Sequence, residues 1–399
     1  MNRLALHHPG IAAIIGLGIS LLPLSTDTVV VSLPGLQRHF GISVAESQLT
    51  LSVFVAAFGV SQLVYGPLSD RFGRRPMLIA GLAIFFAASL ACAGADTIEG
   101  LIVARFFQAL GCCAPAVIGR AIVRDVHGAE GTARMMGYIS AGVSLLICAW
   151  PVVGGQLEHH FGWRAVFSLH VFVGGCLLAA VAVFLAESNV RPDARATGLV
   201  RIFGNYRVLL ADRRFLGYAI VNAFGFSVIM AFLSSASFVL MGALGLAAWQ
   251  FSLQFTFAVL GYVLGTLVTA RLVTRVGIDR LLRIGTVMSA AAGTGMAALA
   301  LSGVHTVAAI ILPYFVYMVA CGLNQPSALA GAIGPFPKIA GTASALMGFL
   351  QLACGAVAGF LVARSYDGTP VPMSLAIAIC TLGMLASYRF MVRPGRTRF

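Results

Sequence analysis

Residues Gly66–Gly81 read GPLSDRFGRRPMLIAG, and this stretch decides the fold. One apolar run leads into it and another leaves it, each near the ~20 residues a helix needs to cross a bilayer. Between them stands only a short turn bearing Asp70, Arg71, Arg74 and Arg75. Such a turn joins two spans on a water-facing side. The pattern returns 204 residues later as ARLVTRVGIDRLLRIG, Ala270–Gly285, where Arg71 and Arg275, Gly73 and Gly277, and Gly81 and Gly285 coincide. A second echo pairs GTARMMGY (Gly131–Tyr138) with GTASALMGF (Gly341–Phe349), one residue longer. The chain is therefore read as two halves of like topology.

Apolar runs fall at about 10–34, 46–68, 77–95, 99–121, 134–157, 165–186, 215–241, 250–273, 281–303, 306–333, 340–363 and 371–392, which gives twelve spans. The predicted fold class is an all-α membrane protein of two pseudo-symmetric six-helix halves. The halves cover 1–190 and 215–399, with a polar linker at 191–214 that holds six arginines. Composition agrees. Of 399 residues, 59% are hydrophobic and 10% are charged, against about 25% charged in globular domains. Mean hydropathy is +0.94. Too little charge exists to cover a water-soluble exterior, which excludes a soluble enzyme, a disordered chain and a coiled coil.

The net charge of +13 also fits a nucleic-acid binder, but the distribution of the basic residues favours a membrane. With both termini placed in the cytoplasm, 22 of the 26 Lys and Arg fall on that side. Arg38, Arg164 and Arg364 fall opposite, and Arg105 lies within a span. This positive-inside bias predicts a multi-pass inner-membrane protein with no nucleic-acid partner. The Arg3-led first run is too long for a signal peptide and reads as a retained span. The eight cysteines lie in apolar stretches without metal-ligand or disulfide spacing. No metal, cofactor or enzymatic activity is expected. His170 is the one mid-span histidine, and no H-E-x-x-H motif exists.

Charges inside spans carry the functional reading. Asp27, in LLPLSTDTVVVSLP, is the only one of thirteen acids well inside a span. An ionised carboxylate at a helix centre costs about 2.5–3.5 kcal/mol on insertion scales. Asp27 therefore needs a watery cavity or a proton, which makes it a candidate proton-coupling or cation-binding group. The alternative is an acid that neutralises a neighbouring helix. Pro23 and Pro34 flank it and permit bending. Arg105 is read two ways, as an electrostatic partner of Asp27 or as an arginine bonded to backbone carbonyls. The turn with Gly66, Asp70, Arg71, Gly73 and Arg74 is read as a cytoplasmic latch, Gly66 allowing close helix approach. Pro151, Gly154 and Gly155 form a kinked, small-faced segment suited to packing against another half, and Trp163 marks an outer turn.

These motifs resemble the major facilitator superfamily, in its drug:proton antiporter branch. GPLSDRFGRR resembles the superfamily's loop 2–3 signature. RFFQALG resembles the branch's R-x-x-Q-G motif, with Ala109 where Gly is usual. WPVVGG resembles the antiporter signature G-P-x-x-G-G, with Trp150 replacing the first Gly. With PLSTDTVVVSLP, FGIS and FPKIAGTASAL they resemble the Bcr/CflA bacterial multidrug exporters, from about Pro23 to Tyr388.

The resemblance implies that Asp27 exchanges protons, that Arg105 is linked to that coupling, and that Asp70, Arg71, Arg74 and Asp125 form a gate with Gly66 and Gly73. It implies Pro151, Gly154 and Gly155 as a hinge. Parallel repeats place substrate between the halves near the midplane. The expected function is proton-coupled export of small amphipathic drugs by a monomer in membrane lipid. An uptake symporter or metabolite exporter on the same fold is the alternative. Proposed cavity residues are Phe54, Phe58, Phe226, Met230 and Phe232, with Gln62, Asn222, Gln254, Asn324 and Gln351 as polar contacts.

Overall fold

The computed structural model describes residues 9–189, 199–336 and 339–392. Arg3, Arg191, Arg195, Lys338, Arg393, Arg396 and Arg398 of the basic census lie outside them. The described residues are helical, without strands. They form α1 (Pro9–Ile19), α2 (Leu21–Phe40), α3 (Val44–Phe72), α4 (Arg74–Ala93), α5 (Ile98–Phe161) and α6 (Trp163–Phe184). A second series follows: α7 (Leu199–Ala211), α8 (Arg213–Ser237), α9 (Ala248–Val276), α10 (Ile278–Leu301), α11 (Val307–Ile333), α12 (Ala340–Arg364) and α13 (Val371–Ser387). The chain divides into two compact units, Met1–Gly198 and Leu199–Phe399. The stretch read as linker is thus partly helical, since α7 occupies 199–211 and belongs to the second unit.

Eleven described helical segments are long and apolar enough to span a membrane, and the bent pair α1–α2 makes a twelfth. The bend is 42°. Its cause is local: Pro23 has no N–H to give the Ile19 carbonyl, and its ring crowds that carbonyl. The Ser20 hydroxyl turns back to bond the Leu17 carbonyl at 2.8 Å. The first predicted span is therefore a broken helix.

Helix α5 holds two spans, Ile98–Val126 and Tyr138–Phe161. Contacts with α1 and α2 give their sense. In the first leg Arg105 reaches Ser25 and Gly119 faces Ile15. In the second, Ile139 faces Gly16 and Glu158 reaches Ser32. The two legs run in opposite directions.

The turns follow from glycine and caps. Gly73 alone separates α3 from α4, at φ 98° and ψ 152°. Its repeat partner Gly277 separates α9 from α10, at φ 82° and ψ 155°. Positive φ is strained for any residue with a Cβ. Ser43 and Glu46 close a capping box at the start of α3, and the Asp212 carboxylate caps α8 through Phe215 N–H at 2.7 Å.

Packing repeats between the units. In the first, the α1–α2 span packs on α5, α3 on α5, and α4 on both α5 and α6. In the second, α8 packs on α12, α9 on α11, and α10 on both α11 and α13. Small residues bring the helices together. A Cβ at Gly322 of α11 would lie 2.6 Å from Thr266 N of α9.

Candidate functional site

The chemistry-bearing groups of the first unit gather around α2. Asp27 is buried, and its carboxylate accepts from the Thr26 hydroxyl at 2.8 Å. The Thr28 hydroxyl turns back to the Leu24 carbonyl at 2.6 Å, and the Thr26 hydroxyl shares its hydrogen between Asp27 and the Leu22 carbonyl at 3.0 Å. Short hydroxyl side chains thus line this segment, bonding back to their own helix.

Arg105 of α5 is fully buried. Its Nε donates to the Thr50 carbonyl at 3.1 Å, its Nη1 to Gln108 Oε1 at 2.6 Å, and its Nη2 to the Ser25 carbonyl at 3.0 Å. The guanidinium carbon stands 4.0 Å from the Phe54 ring centroid, a cation–π contact. No ion pair joins it to Asp27. Of the two readings of Arg105, the structure takes the carbonyl-bonded one, because its planar fork fits three fixed oxygens. It still grips α2 two residues before Asp27.

Gln108 extends this network. Its amide donates to Ser89 Oγ at 2.8 Å and faces His170 Nδ1 at 3.3 Å. His170 Nε2 faces the Thr28 hydroxyl at 3.0 Å. Sequence reasoning singled out His170 as mid-span but gave it no partner.

At the opposite end of α3 the latch residues converge. Arg74, almost wholly buried, pairs with Asp70 at 2.5 Å and Asp125 at 3.0 Å, and donates to Ser69 Oγ at 2.6 Å. Asp125 therefore does join the network, whereas Arg71 is exposed and lies over the Phe72 ring. One member was missed. Glu187, just past α6, accepts the backbone N–H groups of Arg74 and Arg75 at 2.9 and 3.0 Å. Its negative charge sits at the N-terminus of α4, where the helix dipole favours it. Asn189 adds a bond to the Asp70 carbonyl at 3.0 Å.

One expectation needs correction. A Cβ at Gly66 would meet nothing within 4 Å, so Gly66 mediates no close helix approach within its unit. Gly154 faces α2 of its own unit, where a Cβ would lie 2.9 Å from Thr28 Cα; Pro151 and Gly155 are buried beside it. Several proposed cavity residues have contacts within their own unit. Phe54 lies under Arg105 and Phe58 is 1% exposed. Asn324 donates to Ser289 Oγ at 3.1 Å. Phe232 stacks on Tyr314 at 3.6 Å between centroids. Asn222 donates to Gln351 Oε1 at 2.7 Å, and Phe226 and Met230 pack against Gly355. Gln62 and Gln254 are half-buried.

The Major Facilitator Superfamily profile matches residues 15–360. The chain belongs to the Major Facilitator Superfamily. Among its relatives, the bicyclomycin resistance protein homolog of Haemophilus influenzae is 28% identical over 95% of both chains. The Multidrug resistance protein D of Escherichia coli is 29% identical over 87% of this chain and 86% of its own. Among solved structures, a partially occluded inward-open conformation of the xylose transporter XylE from E. coli gives a TM-score of 0.72 at 14% identity. That match covers 97% of this chain and 99% of the other. The shared fold is the major facilitator fold, twelve spans in two six-helix halves, and these relatives are transporters, not enzymes.

Proposed function

We propose that this superfamily member exports small amphipathic drugs or antibiotics in exchange for protons, by alternating access. The observation that carries the reading is Asp27, buried at mid-span in the unit that also holds the Arg105 network and the Arg74 latch. A buried carboxylate with a single hydroxyl partner has reason to exchange a proton. The resistance proteins among the relatives support the choice of drug as cargo. The WPVVGG segment supports antiport through its resemblance to the antiporter signature.

In this reading drug enters from the cytoplasm or inner leaflet while Asp27 is ionised. The halves rock, an outside proton neutralises Asp27, drug leaves, and the neutral acid permits return. Both ligands must bias the same two-state equilibrium for coupling to follow. The Arg74–Asp70–Asp125 cluster is the element whose pairing differs between states. Protons are the coupling ion and no other cofactor takes part. The protein works as a monomer in the bacterial inner membrane, with both termini cytoplasmic.

Everted vesicles energised acid-inside test the proposal. Added antibiotics or dyes should dissipate the gradient with wild type and not with Asp27→Asn. Solute uptake driven by an inward proton gradient in right-side-out vesicles, with no compound acting in everted ones, would replace export by symport.

A further inference from the structure

The hydrogen bonds around His170 admit one set of directions. The Thr28 hydroxyl spends its hydrogen on the Leu24 carbonyl at 2.6 Å, so it accepts from His170 Nε2. With Nε2 as donor, Nδ1 of the neutral ring accepts from the Gln108 amide. That amide also donates to Ser89, which passes its own hydrogen to the Phe85 carbonyl at 2.7 Å. Gln108 Oε1 remains to accept from Arg105. Every donor in this chain of bonds has an acceptor, in a fully buried site, which assigns the Nε2–H tautomer.

The result is a closed clamp on α2. Arg105 holds the Ser25 carbonyl, His170 holds the Thr28 hydroxyl, and Gln108 ties Arg105 to His170. Asp27 lies between the two gripped residues. The far side of the same turn is closed by Gly154, over which Thr28 sits. The Phe167 ring stands edge-on to the imidazole at 5.5 Å. We propose that His170 is a positioning residue for proton coupling: as a neutral Nε2–H imidazole it sets the place of Asp27 relative to Arg105. The inference rests on the proposed role of Asp27 as the proton-exchanging group.

The charged and titratable groups facing this site are Arg105 and the buried Cys112 of α5, Cys92 of α4 through Gln108 at 4.0 Å, and Asp27 of α2. Helix α1 carries none. Among the described residues no carboxylate pairs with the imidazole.

The test is an infrared pH titration of the full chain in lipid nanodiscs, with protons as the probe. The carboxyl band absent from Asp27→Asn reports Asp27. His170→Leu and Thr28→Val should each move its midpoint by about one pH unit, the scale of one lost electrostatic contact. His170→Gln, which keeps a donor and an acceptor, should restore it. The Leu/Val double variant should move it no further than His170→Leu alone, because both act through one bond. An unmoved midpoint in both single variants overturns the proposal. If His170→Leu does not fold, Thr28→Val decides. If no band is lost in Asp27→Asn, the proton-exchange reading itself fails, an outcome distinct from a band that is present and unmoved.

Discussion

The two units share a packing plan but differ at equivalent positions of α5 and α11. A Cβ at Gly81 would face the Gly111 carbonyl at 3.4 Å, as one at Gly285 would face the Ala320 carbonyl at 3.1 Å. This register carries Arg105 and Gln108 of α5 onto Tyr314 and Tyr317 of α11. The first unit fills the positions with a guanidinium and an amide bonded to α2, α3 and α6. The second fills them with aromatic rings: Tyr314 stacks on Phe232, and the Tyr317 hydroxyl donates to the Gly225 carbonyl at 2.5 Å. The latch shows the same contrast. Gly73 and Gly277 make the same turn, yet Arg74 is replaced by Ile278. At these positions one unit thus carries charged and amide groups and the other aromatic and apolar ones, and the proposed coupling rests on the first.

The sharpest way to break this contrast is Arg105→Ala. It takes a donor from the Ser25 and Thr50 carbonyls and from Gln108 Oε1, and with hydrogen bonds to a charged group worth about 1.5–3 kcal/mol each the loss should be about 3–5 kcal/mol. Tyr317→Phe, at the matching site of Gln108, removes one bond and should cost about 1 kcal/mol. Thermal melting in detergent compares them, and equal losses would refute the asymmetry. Arg74→Ala comes next. With Asp70 and Asp125 partly exposed, its stability cost is about 1–2 kcal/mol, but transport should fall at least tenfold. Ile278→Ala should leave the transport rate within about twofold.

The helix contacts give a smaller pair. Gly154→Ala meets Thr28 Cα, which is backbone, whereas Gly355→Ala meets the side chains of Phe226 and Met230. Gly154→Ala should cost about 1–3 kcal/mol and Gly355→Ala less, because side chains can shift. The smallest effect belongs to Gly66→Ala, with open space around the added methyl. Its stability should stay within about 0.5 kcal/mol of wild type. A transport defect without a melting change would assign Gly66 a role in motion.

Much of this was legible in the sequence because membranes impose simple rules. Spans follow from apolar length and turns from Gly73 and Gly277, and the units recur as the Gly/Arg echo. Asp27 stood out because lipid penalises charge. Asp70, Arg74 and Asp125 converged as the motif resemblance implied. The rest lacked a local signal. Thr28, Ser89, Gln108 and His170 come from different spans, and no spacing along the chain shows that they meet. Glu187 looks like any acid after a span until the N-terminus of α4 is seen beside it. Gly66 misled, because a small residue permits close approach without requiring it.

Proteoliposomes carrying wild type or Asp27→Asn test the central claim most directly. The cargo should be an antibiotic that wild type moves in the vesicle assay. Asp27→Asn should lose accumulation driven by an imposed proton gradient while keeping exchange of labelled for unlabelled drug. Gradient-driven accumulation by Asp27→Asn at the wild-type level would contradict the account.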